Sequence, residues 1–365
     1  MVATSQRRGA ELFVSDLVRQ LNRAGVEQCV AVLRASEGAA VAFEAPTVLL
    51  RSDGWRVPGL RIDPRTARDL RTLIARLAPD VAQAHGGEAL KYLALCKTRG
   101  LSVVYRRIGA APPWLKRGPR KVAYARLMRR ASTVVGVAEE VARETVETFG
   151  LPPAKVVAIP NAVDAERMRP ATGREETRRL LGIPPSAGVV LSLGALTWEK
   201  DPSGHLEITA PLLEERCEAI HLFVGDGPMK RGLEDEVRAR HLGSRVRLLG
   251  TREDVPDIMA ASDVLLIASA VEGMPGSVIE AGIVGLPVAG YAIAGVPEVV
   301  LDGVTGKLAP VGQAERLRAL LRELLMDEDG RRTMGAAARE RCLSMFDIPA
   351  VALRYLELYQ ELTVA

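Results

Sequence analysis

The sequence predicts an α/β protein built from two parallel sheets, and three observations support that fold class. Short apolar runs alternate with helical patterns along the 365 residues, as in repeated strand–helix–strand units. The apolar runs are nearly continuous, which is typical of parallel strands covered by helices on both faces. The chain is also too long for one ordinary core and suits two domains of ~150–200 residues.

The apolar runs that predict strands are spread over the whole chain. In the first half they lie at residues 30–33, 47–50, 81–84, 101–105, 133–137 and 155–159. In the second half they lie at residues 189–193, 219–224, 246–249, 264–268 and 287–290. Helices are predicted at residues 10–24, 65–77, 88–97 and 139–149, and residues 327–359 are predicted to be largely helical. With right-handed crossovers, each half becomes a Rossmann-like layered sheet.

The predicted domain boundary lies at residues 160–164, where a strand ends in a proline-bearing turn. We expect Rossmann-like domains at 1–160 and 161–345, and a final helix at 346–365 that packs back on the first domain. Residues 1–160 contain 26 Lys and Arg against 14 Asp and Glu, a net charge of +12, whereas the remaining residues have a net charge of −8. Parallel sheets bind ligands at the carboxyl ends of their strands, so we expect the site in a cleft between two facing domains.

Composition excludes several classes of protein. With 48% hydrophobic and 26% charged residues, the chain matches a packed globular protein rather than a disordered one. The four cysteines are far apart without a C-x-x-C pair, which argues against a zinc site or a disulfide framework. Neither a signal peptide nor a membrane span is visible, so we expect a cytoplasmic protein.

The most informative segment is residues 269–281, where a predicted strand runs into a glycine-containing turn and a helix opens near Pro275. Unpaired N–H groups at a helix start bind anions, and Gly273 and Gly276 allow a close approach to the backbone. Glu272 before the helix and Glu280 inside it suit hydroxyl groups of a sugar and a ribose, since carboxylates accept hydrogen bonds. The alternative is a helix-terminus glutamate and a solvated one.

A second element, residues 193–201, directly follows another predicted strand and contains Lys200. A lysine in a strand-end loop is a suitable point charge for a diphosphate leaving group. By itself, the segment favours an ordinary surface lysine.

The spacing of seven residues between Glu272 and Glu280 resembles the E-x7-E signature of retaining glycosyltransferase family 4, whose members have the two-domain GT-B fold. Further similarity to that family lies, in its order, at residues 160–164, 225–228, 249–250, 285–288, 295–298 and 302–306. The first domain is similar more loosely, through residues 8–11 and 80–85.

The resemblance implies catalytic roles for three residues, namely Glu272 on the donor sugar, Lys200 on the departing diphosphate, and His85 on the acceptor side. Donor contacts are implied for Gly9, Gly194, Gly273, Met274, Pro275, Gly276, Ser277, Val278 and Glu280. The first domain then binds the acceptor and the second binds the nucleotide sugar.

The resemblance also implies the reaction: a sugar moves from a nucleotide-diphosphate donor to a hydroxyl acceptor, with retention, in polysaccharide, glycolipid or glycoconjugate biosynthesis. The nucleotide sugar is a co-substrate, and neither a cofactor nor a metal ion is expected. Two alternatives stay open, a non-catalytic partner that binds nucleotide sugars and a nucleotide-sugar epimerase of the same fold.

The sequence departs from the family pattern at three places. The arginine that often follows the strand-end glycine is replaced by Ala195, and no second histidine follows the strand at 101–105, where Arg107 is a candidate for the missing charge. The strand expected before Gly9 is very short. His205, His221 and His241 are scattered and are predicted to be structural.

Residues 89–138 contain twelve basic residues and no acidic one. The stretch 114–130 mixes apolar and cationic positions at helical spacing, which is typical of helices that lie on anionic membranes. A basic first domain also suits an anionic or lipid-linked acceptor. The alternative is a solvated helix whose arginine stems cover the core. No nucleic-acid recognition motif accompanies the charge, and the glycines at 225–232 do not have dinucleotide-binding spacing.

Overall fold

A computed structural model describes residues 1–6, 8–36, 40–50, 62–96, 98–215 and 219–364 of the protein. The chain divides into two compact units. Unit 1 comprises Met1–Ala162 and Ile348–Ala365, and unit 2 comprises Val163–Asp347.

Unit 1 contains seven described strands and five helices before the chain enters unit 2. The strands are β1 (Val2–Thr4), β2 (Val30–Arg34), β3 (Thr47–Leu49), β4 (Val81–His85), β5 (Ser102–Arg107), β6 (Thr133–Gly136) and β7 (Val156–Ala158). The α-helices are α1 (Gly9–Arg23), α2 (Pro64–Leu77), α3 (Gly86–Cys96), α4 (Gly118–Arg129) and α5 (Glu139–Phe149). Short 3-10 turns lie at Pro113–Leu115 and Pro153–Lys155.

Unit 2 begins with a 3-10 turn at Glu166–Met168. Its strands are β8 (Gly188–Leu193), β9 (Ala219–Val224), β10 (Val246–Gly250), β11 (Val264–Ile267), β12 (Val288–Tyr291) and β13 (Gly306–Ala309). Its helices are α6 (Arg174–Leu180), α7 (Pro202–Glu215), α8 (Lys230–Ala239), α9 (Val255–Ala261), α10 (Gly276–Val284), α11 (Val296–Val299), α12 (Ala314–Met326) and α13 (Glu328–Met345). The last helix, α14 (Ile348–Val364), belongs to unit 1.

The strands of unit 1 are parallel and lie in the orders β1-β2-β3 and β4-β5-β6-β7. The His85 N–H donates to the Met1 carbonyl at 3.0 Å, which links β4 to the chain beside β1. Helix α14 packs on α1 in one apolar core, where Tyr355 and Phe13 are both buried with ring centroids 5.9 Å apart.

Unit 2 has one parallel sheet in the order β10-β9-β8-β11-β12-β13. The chain builds outward in one direction from β8 and in the other direction from β11, so the strand order reverses between these two neighbours. Because the connections that follow these two strands run in opposite directions, a crevice forms at their carboxyl ends. Such a crevice is the usual ligand site of open α/β sheets.

The predicted fold class, α/β with two Rossmann-like parallel sheets, is confirmed. The predicted strands are present with shifts of one or two residues at their ends. Of the stretch 114–130, which has helical spacing, residues 118–129 form helix α4; the helix begins only at Gly118, whose φ is +72°, after a separate 3-10 turn. In α4 the buried Ala125 and Met128 face the core, whereas Val122 is exposed, so its apolar residues do not form one exposed face.

The glycines at 225–228 serve a close approach of two backbones. Gly225 has a φ of +137°, and a Cβ on Gly227 would lie 2.4 Å from the Leu196 carbonyl oxygen. Two backbone hydrogen bonds join this loop to the loop after β8, from Leu196 N–H to Asp226 O and from Met229 N–H to Leu196 O, both at 3.0 Å. This explains why glycines follow β9 without the spacing of a dinucleotide motif.

We therefore expect Gly227→Ala to lower the free energy of unfolding by about 1–3 kcal/mol, because backbone atoms must move to admit the methyl group. Gly232→Ala is the matched control, since a Cβ there meets nothing within 4 Å on helix α8. Alanine in an exposed helix position should be neutral or stabilising by up to ~1 kcal/mol. Urea unfolding followed by circular dichroism measures both, and equal stability of the two variants would contradict the packing argument.

Candidate functional site

Lys200 and Glu272 meet at the crevice where the strand order of unit 2 reverses. Lys200 lies in the loop after β8, and Glu272 lies in the loop after β11. The Lys200 Nζ donates to Glu272 Oε1 at 2.6 Å. The Glu272 side chain is only 5% exposed and that of Lys200 is 34% exposed, so the carboxylate is enclosed and the cation remains partly accessible to solvent.

Backbone hydrogen bonds hold the two loops together independently of that ion pair. The N–H groups of Ala270 and Val271 both donate to the Glu199 carbonyl, at 2.9 and 3.1 Å. On the other side of Glu272, the Gly295 N–H donates to the Gly273 carbonyl at 2.6 Å. The loop that carries Glu272 is thus fixed to the loop that carries Lys200.

Helix α10 begins directly after these loops. Pro275 is its N-cap residue, one position before the first turn in which the sequence placed it, and Gly276 is the first helical residue. Gly273, Met274, Pro275 and Val278 are buried, while Gly276 and Ser277 are partly exposed. The first N–H groups of the helix have no carbonyl partner within the helix, and its dipole favours negative charge at this end.

Glu280 lies in the middle of α10 and its side chain is 14% exposed. Arg167, from the 3-10 turn at the start of unit 2, lies 3.6 Å from Glu280 Oε1. The structure therefore places both predicted carboxylates in unit 2, each beside a cation.

A pocket of about 20 Å³ lies beside the ion pair, which is space for roughly one water molecule. Its lining includes Gly194, Ala195, Lys200, His205 and Glu272. Gly194 has a φ of +150°, and its backbone approaches the aliphatic stem of Lys200. Ala195 adds no charge to this wall.

Below the pocket, two buried histidines form a connected polar chain that the sequence did not predict. The Ser192 hydroxyl lies 2.7 Å from His205 Nδ1 and 2.8 Å from His221 Nε2. The far ring atom of His221, Nδ1, lies 2.8 Å from the hydroxyl of Thr209, one turn after His205 on α7. Burial lowers the pKa of His205 to about 3, with the Lys200 charge adding to the effect, and burial also lowers the pKa of His221 well below its ordinary value.

The two predicted site residues of the first domain, Gly9 and His85, both lie in unit 1. Gly9 is exposed at the start of α1. His85 ends β4, is 8% exposed, and has a pKa well below its ordinary value, chiefly because of burial. The Tyr359 hydroxyl donates to Gln83 Oε1, which leaves the Gln83 amide to donate to His85 Nε2 at 3.0 Å. The proton of His85 is then on Nδ1, which has no hydrogen-bond partner among the described residues.

The hypothesis that Arg107 supplies a missing charge is wrong. Its guanidinium is buried against the Glu144 carboxylate and donates to the Thr145 hydroxyl at 2.6 Å. Lys116 also contacts Glu144, at 2.8 Å. Because Arg107 is 3% exposed and already paired, it is a core residue of unit 1.

A larger cavity, of about 520 Å³, lies at the amino ends of the unit 2 strands, opposite the crevice. The arginines that line it are engaged in structural contacts. Arg178 donates to Asp263 and to the Ala261 carbonyl at the end of α9, and Arg331 donates to carbonyls at the end of α12. These contacts cap helix ends, so the cavity is not where the chemistry lies.

Within the described ranges, no three His, Cys, Asp or Glu side chains are grouped as a metal site would require. No helix in the part of the chain that the structure describes is both long and apolar enough to cross a bilayer. Cys217 lies outside the described residues.

Two family models match the chain, one over each half. The model described as "Glycosyl transferases group 1" matches residues 173–341, and the model described as "Glycosyltransferase Family 4" matches residues 7–167.

Curated relatives have the same character. A D-inositol 3-phosphate glycosyltransferase of Kineococcus radiotolerans is 32% identical over 260 residues, which is 66% of this chain and 60% of that protein. An N-acetyl-alpha-D-glucosaminyl L-malate synthase of Bacillus anthracis is 27% identical over 64% of this chain and 61% of that protein. The chain thus spans less than two thirds of the length of these relatives.

Solved structures match over the whole chain. Sucrose-phosphate synthase from Thermosynechococcus elongatus has a TM-score of 0.86 at 19% identity and covers 100% of this chain and 96% of its own. The Anabaena protein HepE, solved with UDP and glucose, has a TM-score of 0.83 at 20% identity and covers 98% of this chain and 99% of its own. At these identities the likeness establishes the fold.

The two Rossmann-like units and these structural matches define the GT-B class of fold. Within that class, both halves of the sequence match glycosyltransferase models and the E-x7-E signature lies at Glu272 and Glu280. The chain belongs to glycosyltransferase family 4.

The buried histidines of unit 2 predict an acid response. His205 and His221 have lower pKa values folded than the ~6.5 of an unfolded chain, so the unfolded state binds more protons below pH 6.5. Stability is therefore complete above pH 6.5 and is lost as the pH falls towards 3, by up to ~1.4 kcal/mol per pH unit for each histidine. We expect the melting temperature at pH 5.5 to lie about 5–10 °C below that at pH 7.5.

His221→Gln should reduce this difference, whereas substitution of the exposed His241 by glutamine should leave it unchanged. Differential scanning fluorimetry across the pH range measures the response. An undiminished pH dependence in the His221 variant would show that other groups cause it.

Proposed function

We propose that the protein is a retaining glycosyltransferase that moves a sugar from a nucleoside-diphosphate sugar to a hydroxyl acceptor. The observation that carries the proposal is the Lys200–Glu272 pair at the reversal of strand order, beside the start of α10, in a chain of this family. An accessible cation and an enclosed carboxylate at one crevice suit a donor with a diphosphate at one end and sugar hydroxyls at the other.

The diphosphate is assigned to Lys200 and to the start of α10. Lys200 supplies a full positive charge, and the first N–H groups of α10, those of Gly276 and Ser277, supply directed donors with a favourable dipole. Such groups stabilise the negative charge that grows on the diphosphate as it leaves. Gly9 in unit 1 is assigned to the same diphosphate by the family resemblance. With these groups as the source of positive charge, we propose a reaction that needs neither a metal ion nor a cofactor.

The carboxylates are assigned to hydroxyl groups rather than to phosphate, because like charges repel. Glu272 would accept hydrogen bonds from the donor sugar and Glu280 from the ribose. The contact of Lys200 with Glu272 holds the carboxylate in one orientation, which fixes the position of the sugar relative to the diphosphate.

Transfer with retention then proceeds on one face of the sugar. The bond between the anomeric carbon and the diphosphate oxygen breaks, and its electron pair remains on the diphosphate. The acceptor oxygen forms a bond to the anomeric carbon from the same face, and its proton passes to a leaving phosphate oxygen. His85 is assigned to the acceptor side, where its Nδ1–H is a buried donor without a partner in the described residues.

The names of the relatives support the substrate classes. D-Inositol 3-phosphate and L-malate are small anionic hydroxyl compounds named in two of them, and the HepE crystals hold UDP and glucose. We propose an acceptor of that hydroxyl-bearing class, anionic or lipid-linked, in the biosynthesis of a polysaccharide, glycolipid or other glycoconjugate.

Ala195 is the observation that favours a second candidate, a partner protein that binds nucleotide sugars without turnover, because it removes one charge from the diphosphate site. An epimerase of the same fold would change the donor in the absence of any acceptor. Mass spectrometry of products from a panel of nucleotide sugars, with and without acceptor, distinguishes the three.

We expect Glu272→Gln to lower the rate of transfer about 100- to 1000-fold, because the neutral amide no longer matches the charge and acceptor pattern of the site. Its melting temperature should stay close to that of the wild type, since Lys200 is partly exposed and remains hydrated. Lys200→Ala should weaken binding of the free nucleoside diphosphate about 10- to 100-fold in calorimetry, because a charge-assisted contact is lost.

Lys307→Ala is the matched control, because this lysine of unit 2 is on β13 and pairs with Glu323. It should leave both transfer and nucleotide affinity unchanged. Wild-type transfer by the Glu272 variant, or unchanged affinity in the Lys200 variant, would defeat the assignment of these roles.

We also propose that unit 1 contacts anionic membranes. Trp114, 57% exposed in its 3-10 turn, and Val122, 47% exposed on α4, lie in a stretch with exposed Arg117, Arg120 and Arg126. Exposed apolar side chains among cations suit the interface of an anionic bilayer. This contact would bring the protein to a lipid-linked acceptor.

The protein should sediment with phosphatidylglycerol vesicles at low salt and not with phosphatidylcholine vesicles, and added salt should release it. Exchange of Arg117 and Arg120 for glutamate should abolish binding. The same exchange at Arg65 and Arg68, exposed on α2, is the charge-matched control. Equal loss of binding in both double variants would indicate net charge alone, and no salt-sensitive binding by the wild type would exclude the contact.

A further inference from the structure

The imidazole of His205 fills the gap where β8 and β11 separate. These strands pair at Val190–Val264 and Leu191–Leu265, and the pairing ends before their carboxyl ends. Beyond it, His205 bonds Ser192 of β8 through Nδ1, at 2.7 Å. Its Nε2 accepts the N–H of Ala268, the residue after β11, at 2.9 Å. The His205 ring thus links β8 and the end of β11 where their backbone hydrogen bonds stop.

The protons of this chain have one consistent arrangement. A backbone N–H can only donate, so Nε2 of His205 is unprotonated and its proton is on Nδ1, which donates to Ser192. The Ser192 hydroxyl then donates to Nε2 of His221, whose Nδ1–H donates to Thr209. The Thr209 hydroxyl completes the chain by donating to the His205 carbonyl at 3.1 Å. Every donor is used, and the ring of His205 is held from both sides.

Ala268 is the first residue of the loop that carries Glu272. Ala268 is 3% exposed, and the pairing with β8 ends at Leu265, so the sheet supplies no acceptor for the Ala268 N–H on the β8 side. A buried N–H without an acceptor is costly, so the loop would shift to find one if the imidazole were absent. Glu272 lies four residues further on, and the next anchors of the loop are Ala270 and Val271.

We infer that His205 is a positioning residue that holds the Glu272 loop in place through the Ala268 N–H, with Ser192, His221 and Thr209 fixing the orientation of its ring. It contacts neither donor nor acceptor in this role. The consequence for catalysis rests on the proposed function, whereas the anchoring of the loop does not.

Asparagine and glutamine at position 205 separate the two ends of the ring. The amide of His205→Asn lies near the position of Nδ1 and can still donate to Ser192, but it does not extend to Ala268. The longer amide of His205→Gln extends to the position of Nε2, where its oxygen can accept the Ala268 N–H while the Ser192 bond is lost. Thr209→Val breaks the far end of the chain and touches neither the loop nor Lys200.

Hydrogen exchange of the peptide that contains residues 264–274 tests the anchoring without any need for activity. We expect exchange to become about 10- to 100-fold faster there in His205→Asn, and to stay close to wild type in His205→Gln and Thr209→Val. Unchanged exchange in the asparagine variant, or equal acceleration in all three variants, would overturn the inference.

Transfer kinetics test the consequence. The asparagine variant should lose about 10- to 100-fold in kcat, while its calorimetric affinity for the free nucleoside diphosphate should fall by a smaller factor, because Lys200 on the other loop keeps its charge beside the diphosphate. Glutamine should restore most of kcat, which a purely structural defect would not allow. If the wild type shows no transfer at all, the proposed function fails, and the exchange experiment still decides whether His205 anchors the loop.

Discussion

The reversal of strand order between β8 and β11 is the constraint on which the rest of unit 2 depends. Because the chain leaves β8 on one side of the sheet and returns through β11 on the other, the two strand-end loops meet without a crossover connection between them. Lys200 and Glu272 are 72 residues apart in the chain and are brought to 2.6 Å by that topology alone. The same geometry forms the crevice at the carboxyl ends of the strands.

Side-chain hydrogen bonds connect β8 and β11 at both ends of their pairing. At the amino end, Asp263 precedes β11 and accepts the Val189 N–H at 2.7 Å, and its carboxylate is paired with Arg178. At the carboxyl end, His205 takes the corresponding place between Ser192 and Ala268. Buried polar groups are costly unless every donor and acceptor is satisfied, and both ends meet that condition. Because all the polar groups between β8 and β11 are bonded, only one register of the two strands satisfies them. A site built from the loops after both strands requires such a fixed register.

The sequence predicted most strands correctly because a parallel strand covered on both faces is an uninterrupted apolar run, as in Val189–Leu191. It did not predict β13, because Lys307 interrupts the apolar pattern of that strand. β13 is an edge strand, so one of its sides has no neighbouring strand. The start of α4 within the stretch 114–130 could not be predicted, because periodicity does not show the positive φ of Gly118.

The side-chain pairings were harder to predict from the sequence. Arg107 is occupied by Glu144, which is 37 residues further along the chain, and no local pattern indicates that pairing. The polar chain below the site did leave a signal that was not used. Ser192 and His221 are single polar residues within the apolar strands β8 and β9, and a buried polar residue in such a strand needs a specific partner.

Lys200 has one charged partner among the described residues and would have a second when a donor binds. In the structure the ammonium neutralises one enclosed carboxylate, so the pair has no net charge to attract a diphosphate from a distance. If a diphosphate binds, the same ammonium lies between two anions. Ala195 provides no second cation to help neutralise the diphosphate. The backbone N–H groups at the start of α10 must then carry a larger part of the phosphate charge than they would beside an arginine. Those groups cannot move independently of the Glu272 loop, because the loop leads directly into the helix. Donor affinity and the placement of the sugar are therefore coupled through one short segment, which is why a residue that fixes the beginning of that segment matters beyond its own hydrogen bonds.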